Sequence, residues 1–66
     1  DNFGPLVLPK KGYTIQLMEM FGRHIYTGVA GKENEAIDMV SLNPGSYIVV
    51  ITDNDGQRVI RKVIKQ

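Results

Sequence analysis

His24 is the one histidine in the chain, and catalysis built on it lacks partners. A nucleophile–base pair needs a serine or threonine within reach of an imidazole, and a third group to orient the base. Ser41, Ser46, Thr14, Thr27 and Thr52 are available, but none sits in the strained glycine-flanked turn that exposes a nucleophile. His24 alternates out of phase with Ile25, so on a strand it is expected to face solvent. Asp53, Asn54 and Asp55 offer oxygens to a cation, yet the further oxygen-bearing positions and distal glutamate of a calcium loop are missing. Glu33, Glu35 and Asp38 likewise lack metal-site spacing. Turn chemistry and a solvated loop account for all of these acids. The expectation is a protein with no catalytic residues, no metal and no cofactor.

Two other constellations favour binding over chemistry. Arg58, Arg61, Lys62 and Lys65 form a basic cluster near the end of the chain. Nucleic-acid contact would need aromatic stacking partners on the same face, and only Tyr47 is near. A charged edge strand that deters unwanted pairing explains the cluster without nucleic acid. Tyr13, Phe21, Tyr26 and Tyr47 could line a sugar-binding face. In so small a chain aromatics serve the core first, Tyr47 most clearly and Tyr26 least.

Composition sets the frame for these residues. The chain has 66 residues, enough for one domain, with 8 Lys+Arg against 7 Asp+Glu and a net charge of +1. That balance implies no general attraction to nucleic acid or anionic membrane. There is no cysteine, so neither a disulfide nor a thiolate metal site is available. No apolar run approaches the ~20 residues of a membrane helix, so no membrane insertion is expected. A chain of this size buries only about 60% of its unfolded surface, which leaves little volume for a deep pocket. It opens on Asp1-Asn2 without an initiator methionine or signal peptide, and reads as a piece of a longer protein.

The elements that must position these residues are strands. Asp1 to Gly12 contains Gly4, Pro5, Pro9 and Gly12 and reads as a linker or edge segment, within which Leu6-Val7-Leu8 can form a short first strand. Tyr13, Ile15 and Leu17 alternate with Thr14 and Gln16, the period of a half-buried strand. Glu19-Met20-Phe21-Gly22 supplies a turn into a second strand over Arg23 to Thr27. Gly28 to Asn34 reads as a loop, and Ala36, Ile37 and Met39 as a strand ending near Val40. Asn43-Pro44-Gly45 suits a type II turn. Tyr47-Ile48-Val49-Val50-Ile51, apolar at every position, predicts a central strand covered on both faces. Asp53-Asn54-Asp55-Gly56 is a hairpin signal, with a return strand from Gln57 to about Lys65. No segment shows a helical period. Five to seven short strands with regular turn signals predict an all-β fold, a small antiparallel β-sandwich.

The order of these features resembles the C-terminal sorting domain of type IX (Por) secretion system cargo. The resemblance runs from Gly12 to Gln66. It rests on Ile15-Gln16-Leu17 leading to Phe21-Gly22-Arg23-His24-Ile25-Tyr26, then Ile37-Asp38-Met39-Val40-Ser41-Leu42 and Pro44-Gly45-Ser46-Tyr47-Ile48-Val49-Val50-Ile51. Asp55-Gly56 and Arg61-Lys62-Val63-Ile64-Lys65 complete it. No single motif is specific; their order and spacing are. Two departures are Gln66, where the family commonly ends on lysine or a short basic end, and Ser46, at a variable position.

The resemblance implies an immunoglobulin-like β-sandwich that folds in the periplasm and is recognised by an outer-membrane translocon. A sortase-like protease is then expected to cut in the linker, at or before Asp1–Gly12, and to couple the cargo to a surface lipopolysaccharide. The implied organisms are Bacteroidota and the implied cargo a protease, adhesin or other virulence factor preceding this domain. A signal read in the folded state needs a distinctive exposed surface. The residues expected to form it are Gly22, Arg23, Pro44, Gly45, Tyr47, Lys62, Val63, Ile64 and Lys65, with the terminal strand open to strand addition. Gly22, Pro44 and Gly45 also shape turns, which is a sufficient reason for their presence. Exposed edges in so short a chain also allow a strand-exchanged homodimer. Two other readings stay open on the residues alone: a carbohydrate- or protein-binding sandwich module with an exposed aromatic platform, and a structural spacer.

Overall fold

A computed structural model of the protein describes residues 6–38 and 42–66. Among the described residues six strands follow one another: β1 (Leu6–Leu8), β2 (Thr14–Glu19), β3 (His24–Val29), β4 (Glu35–Ile37), β5 (Gly45–Thr52) and β6 (Arg58–Lys65). There is no helix among the described residues. All pairings are antiparallel, in a four-stranded sheet of order β3-β2-β5-β6 and a two-stranded sheet of β1 and β4. The fold is therefore all-β and sandwich-like, as the alternation of apolar residues predicts.

Alternation also locates the core. In β2, Ile15 and Leu17 are fully buried while Gln16 between them is exposed. Their ladder partners on β5, Ile51 and Val49, point to the same face, followed by Tyr47 opposite Glu19. Leu8 of β1 and Ile37 of β4 cover this face, and Ala30 closes its edge. Each fully buried aliphatic side chain contributes about 1.5–3 kcal/mol. A short first strand was expected at Leu6-Val7-Leu8; with 0% exposure, Leu8 belongs to the core.

Three details depart from the sequence expectations. β5 is central, flanked by β2 and β6, but the two-stranded layer covers one face only. Met18, Ile48, Ile60 and Ile64 project from the other face, with Ile60 68% exposed. Apolar residues on both sides of a strand thus do not guarantee two covering layers. β3 continues through Gly28, which pairs with Ile15, instead of ending in a loop at Thr27. The Tyr26 side chain lies over Gly28, where an added Cβ would come within 2.5 Å of the phenolic oxygen. An aromatic ring packed over a strand glycine compensates for the missing side chain. The third departure is at Gly45, which opens β5 opposite Lys65 with φ +155°. A type II turn would need about +80° there. β4 runs from Glu35 to Ile37; the expected continuation through Met39 and Val40 lies outside the described residues, as does Ser41.

The turns follow the chemistry of their residues. Asp53 carboxylate oxygen Oδ1 accepts from the amides of Asp55 at 2.8 Å and Gln57 at 2.9 Å, so the acid considered as a cation ligand is engaged by its own turn. Asn54 Nδ2 donates to the Lys11 carbonyl at 3.0 Å and ties this hairpin to the loop before β2.

Candidate recognition surface

The β2–β3 hairpin brings Gly22 and Arg23 to the end of the four-stranded sheet. Gly22 takes φ +92°, a left-handed conformation that costs a side-chain-bearing residue more, and its amide donates to the Glu19 carbonyl at 2.8 Å. A bulge between Leu17 and Met18 shifts the register just before the turn. Across it, Arg23 makes a bidentate pair with Glu19, Nε to Oε1 at 2.9 Å and one terminal nitrogen to Oε2 at 2.7 Å. The planar fork of arginine matches a carboxylate in this way. The hydrogen bond from Arg23 holds the Glu19 carboxyl below the usual glutamate range.

The sign of the consequence is fixed. A lowered folded-state value means that the pair contributes stability above the unfolded glutamate range and loses it as pH falls through the folded value. Replacing Arg23 with alanine is therefore expected to move the Glu19 titration upward, read by carboxyl chemical shift against pH. An unchanged midpoint would contradict the pairing.

β5 starts at the same end. Glu19 pairs with Tyr47, and Tyr47 with Val63 of β6. Tyr47 is 4% exposed, and its hydroxyl donates to the Asn43 carbonyl. That bond folds the Asn43-Pro44 segment back over the ring, so the aromatic anchors the turn as well as the core. Met20 amide donates to the Ser46 carbonyl at 3.3 Å, which links the two turns directly. On β6, Ser46 faces Ile64 and Gly45 faces Lys65.

Residues far apart in sequence thus meet at one end of the sheet: Gly22 and Arg23 from the first hairpin, Pro44, Gly45 and Tyr47 from the start of β5, and Val63, Ile64 and Lys65 from the end of β6. Lys62 lies one step inward, opposite Ile48. Arg23, Pro44, Gly45, Lys62 and Ile64 are exposed, whereas Val63 is half-buried and Tyr47 buried. Tyr47 shapes this surface from beneath and offers little of itself to a partner.

Two further residues belong to this surface: Glu19, read from the sequence only as part of a turn, and Phe21, read there also as a candidate sugar-face aromatic. Glu19 fixes Arg23, and the four-residue spacing of opposite charges across a glycine turn was its available signal. Phe21 is 100% exposed at the tip of the turn, beside a shallow cleft lined by Met20, Pro44, Gly45, Ser46 and Tyr47. A phenylalanine alone on a surface is ordinary; here it borders the gathered turns. Tyr26 lies over Gly28 in the strand, so the two exposed aromatics occupy different elements and share no platform. His24 is exposed, with Nε2 against the Thr27 hydroxyl, and among the described residues no acid orients it. Among the described residues no group of three His, Cys, Asp or Glu side chains is placed to hold a metal ion.

Comparison with known proteins agrees with the order of motifs in the sequence. Residues 4–66 match the family model described as a secretion system C-terminal sorting domain. No curated protein and no solved structure matches the chain.

Proposed function

The chain belongs to the family of secretion system C-terminal sorting domains, and from that membership we propose that its gathered turns and terminal strand are the surface the export machinery reads. The domain is the C-terminal sorting signal of a type IX secretion cargo. A sorting signal is not a catalytic family, and its route runs through the periplasm to the outer membrane or beyond. The observation that carries the site assignment is the convergence of Gly22-Arg23, Pro44-Gly45 and Val63-Ile64-Lys65 at one sheet end, supported from within by Tyr47.

In this reading the translocon meets a rigid, preformed surface, so little ordering is needed on binding. Lys62 and Lys65 put positive charge on the terminal strand, which speeds encounter with an acidic partner and rejects a basic one. The cargo domain precedes the described strands. A sortase-like protease cuts the linker at or before Asp1–Gly12 and couples the released cargo to surface lipopolysaccharide. A cut before Leu6 leaves the folded module intact, because Leu8 of β1 lies in the core and Leu6 packs against it.

The test is a fusion of the whole chain to a periplasmic reporter in a bacterium with the type IX system. The double variant Lys62→Ala, Lys65→Ala is expected to export about tenfold less reporter, equivalent to about 1.4 kcal/mol of recognition. The fold should persist, checked by circular dichroism of the purified domain. Undiminished export by a folded double variant would remove the electrostatic part of the proposal.

A further inference from the structure

The outer edge of β6 carries a charge pattern that its own sheet does not answer. Arg58, Arg61 and Lys62 are exposed, and their β5 partners are Thr52, Val49 and Ile48, none of them acidic. The ion pairs Lys10–Glu33 and Glu19–Arg23 lie elsewhere. Among the described residues no strand pairs with the far side of β6. Val59, Ile60 and Ile64 stand in apolar pairs between the bases and are 54%, 68% and 48% exposed. An eight-residue edge that is both apolar and open is a template for another strand.

A second copy of this chain is a poor occupant. Antiparallel pairing about a two-fold axis keeps directly opposed side chains on one sheet face. Centred on the middle of β6, it sets Arg61 against Arg61 or Lys62 against Lys62. Like charges directly opposed destabilise a sheet. The bases that repel a second β6 attract a strand of opposite charge.

We propose that β6 takes up an extended partner strand whose acidic and apolar residues come in pairs. Opposite Arg58 to Lys65 it reads acid, apolar, apolar, acid, acid, apolar, apolar, acid. Main-chain hydrogen bonds supply affinity, and the paired blocks supply register. On one face Arg58 and Lys62 meet acids while Ile60 and Ile64 meet apolar residues. On the other face Arg61 meets an acid and Val59 and Val63 meet apolar residues. Only the placement of that strand in the export machinery rests on the sorting-signal reading; the binding is a property of this chain.

The probe is a capped, fluorescent octapeptide, Glu-Val-Val-Glu-Glu-Val-Val-Glu, titrated with the full chain by anisotropy. Its control, Glu-Val-Glu-Val-Glu-Val-Glu-Val, has the same composition but puts every acid on one face. The paired peptide is expected to bind at least about tenfold tighter than the alternating one. Its binding should weaken from about 50 mM to about 500 mM NaCl, as screening predicts. N-methylation of alternate amides, or the variant Arg61→Glu, Lys62→Glu, should abolish it. Equal affinity for both peptides, survival of N-methylation, or no binding overturns the inference. If binding fails while the reporter fusion is still exported, this inference falls and the sorting reading stands. If the peptide binds and the fusion is not exported, the reverse holds.

Discussion

Replacing Tyr47 with alanine is expected to cost the domain about 3–5 kcal/mol, the range for removing a buried aromatic ring. A chain of 66 residues has a total stability of roughly 3–10 kcal/mol at the usual 0.05–0.15 kcal/mol per residue. The variant is therefore expected to be partly or wholly unfolded at room temperature. The size follows from the position of the ring, 4% exposed within the cluster formed by Leu8, Ile15, Leu17 and Val49. Tyr47→Phe separates the two roles of the residue. It keeps the ring and removes the hydroxyl that donates to the Asn43 carbonyl, for a loss of about 0.5–1.5 kcal/mol. Urea unfolding of both variants checks the ordering. Equal losses would mean that the ring is not part of the core.

Leu17→Ala is the second large effect. Leu17 is fully buried at the centre of β2, with Tyr26 opposite on β3 and Val49 opposite on β5. Both neighbours are held by sheet ladders, so the site can close around a cavity only partly. A loss of about 2–5 kcal/mol is expected, and the measurement is a shift of the urea midpoint with little change in slope. Ile60→Ala is the matched control. With 68% of Ile60 exposed, it should change stability by no more than about 0.5 kcal/mol. A larger loss at Ile60 than at Leu17 would place the core on the wrong face of the sheet.

The parts of the fold that sequence conveyed are those set by neighbours along the chain. Asp53 to Gly56 can turn because asparagine, aspartate and glycine satisfy the backbone locally, and the β-branched run before it must be a strand. Gly22 marks the first hairpin for a similar reason. What escaped depends on partners distant in sequence. β1 pairs with β4, and no local turn announces that pairing. Gly28 has the composition of a loop, yet its ladder with Ile15 and the ring of Tyr26 keep it in β3. Ile48 and Val50 carry the pattern of a doubly covered strand, but β1 and β4 cover one face only; on the other, Ile48 stays half-buried although Val50 is 7% exposed.

The candidate surface divides in the same way. Its members were recognisable as motifs in order along the chain. Their meeting at one sheet end follows from antiparallel geometry, which returns the end of β6 to the start of β5 and the end of β2 to the start of β3. Glu19 had only the four-residue spacing to Arg23 as its signal, and the bidentate pair forms when the turn folds the two together.

The central claim is that this module, with its terminal strand, is sufficient to send cargo out. Its most direct test compares two reporter fusions in a bacterium with the type IX system, one carrying residues 1–66 and one lacking Val63–Gln66, with folding of each checked on purified protein. The full fusion is expected to reach the cell surface or medium and the truncated one to stay in the periplasm. Retention of a folded full fusion, in cells that still export their own cargo, would contradict it.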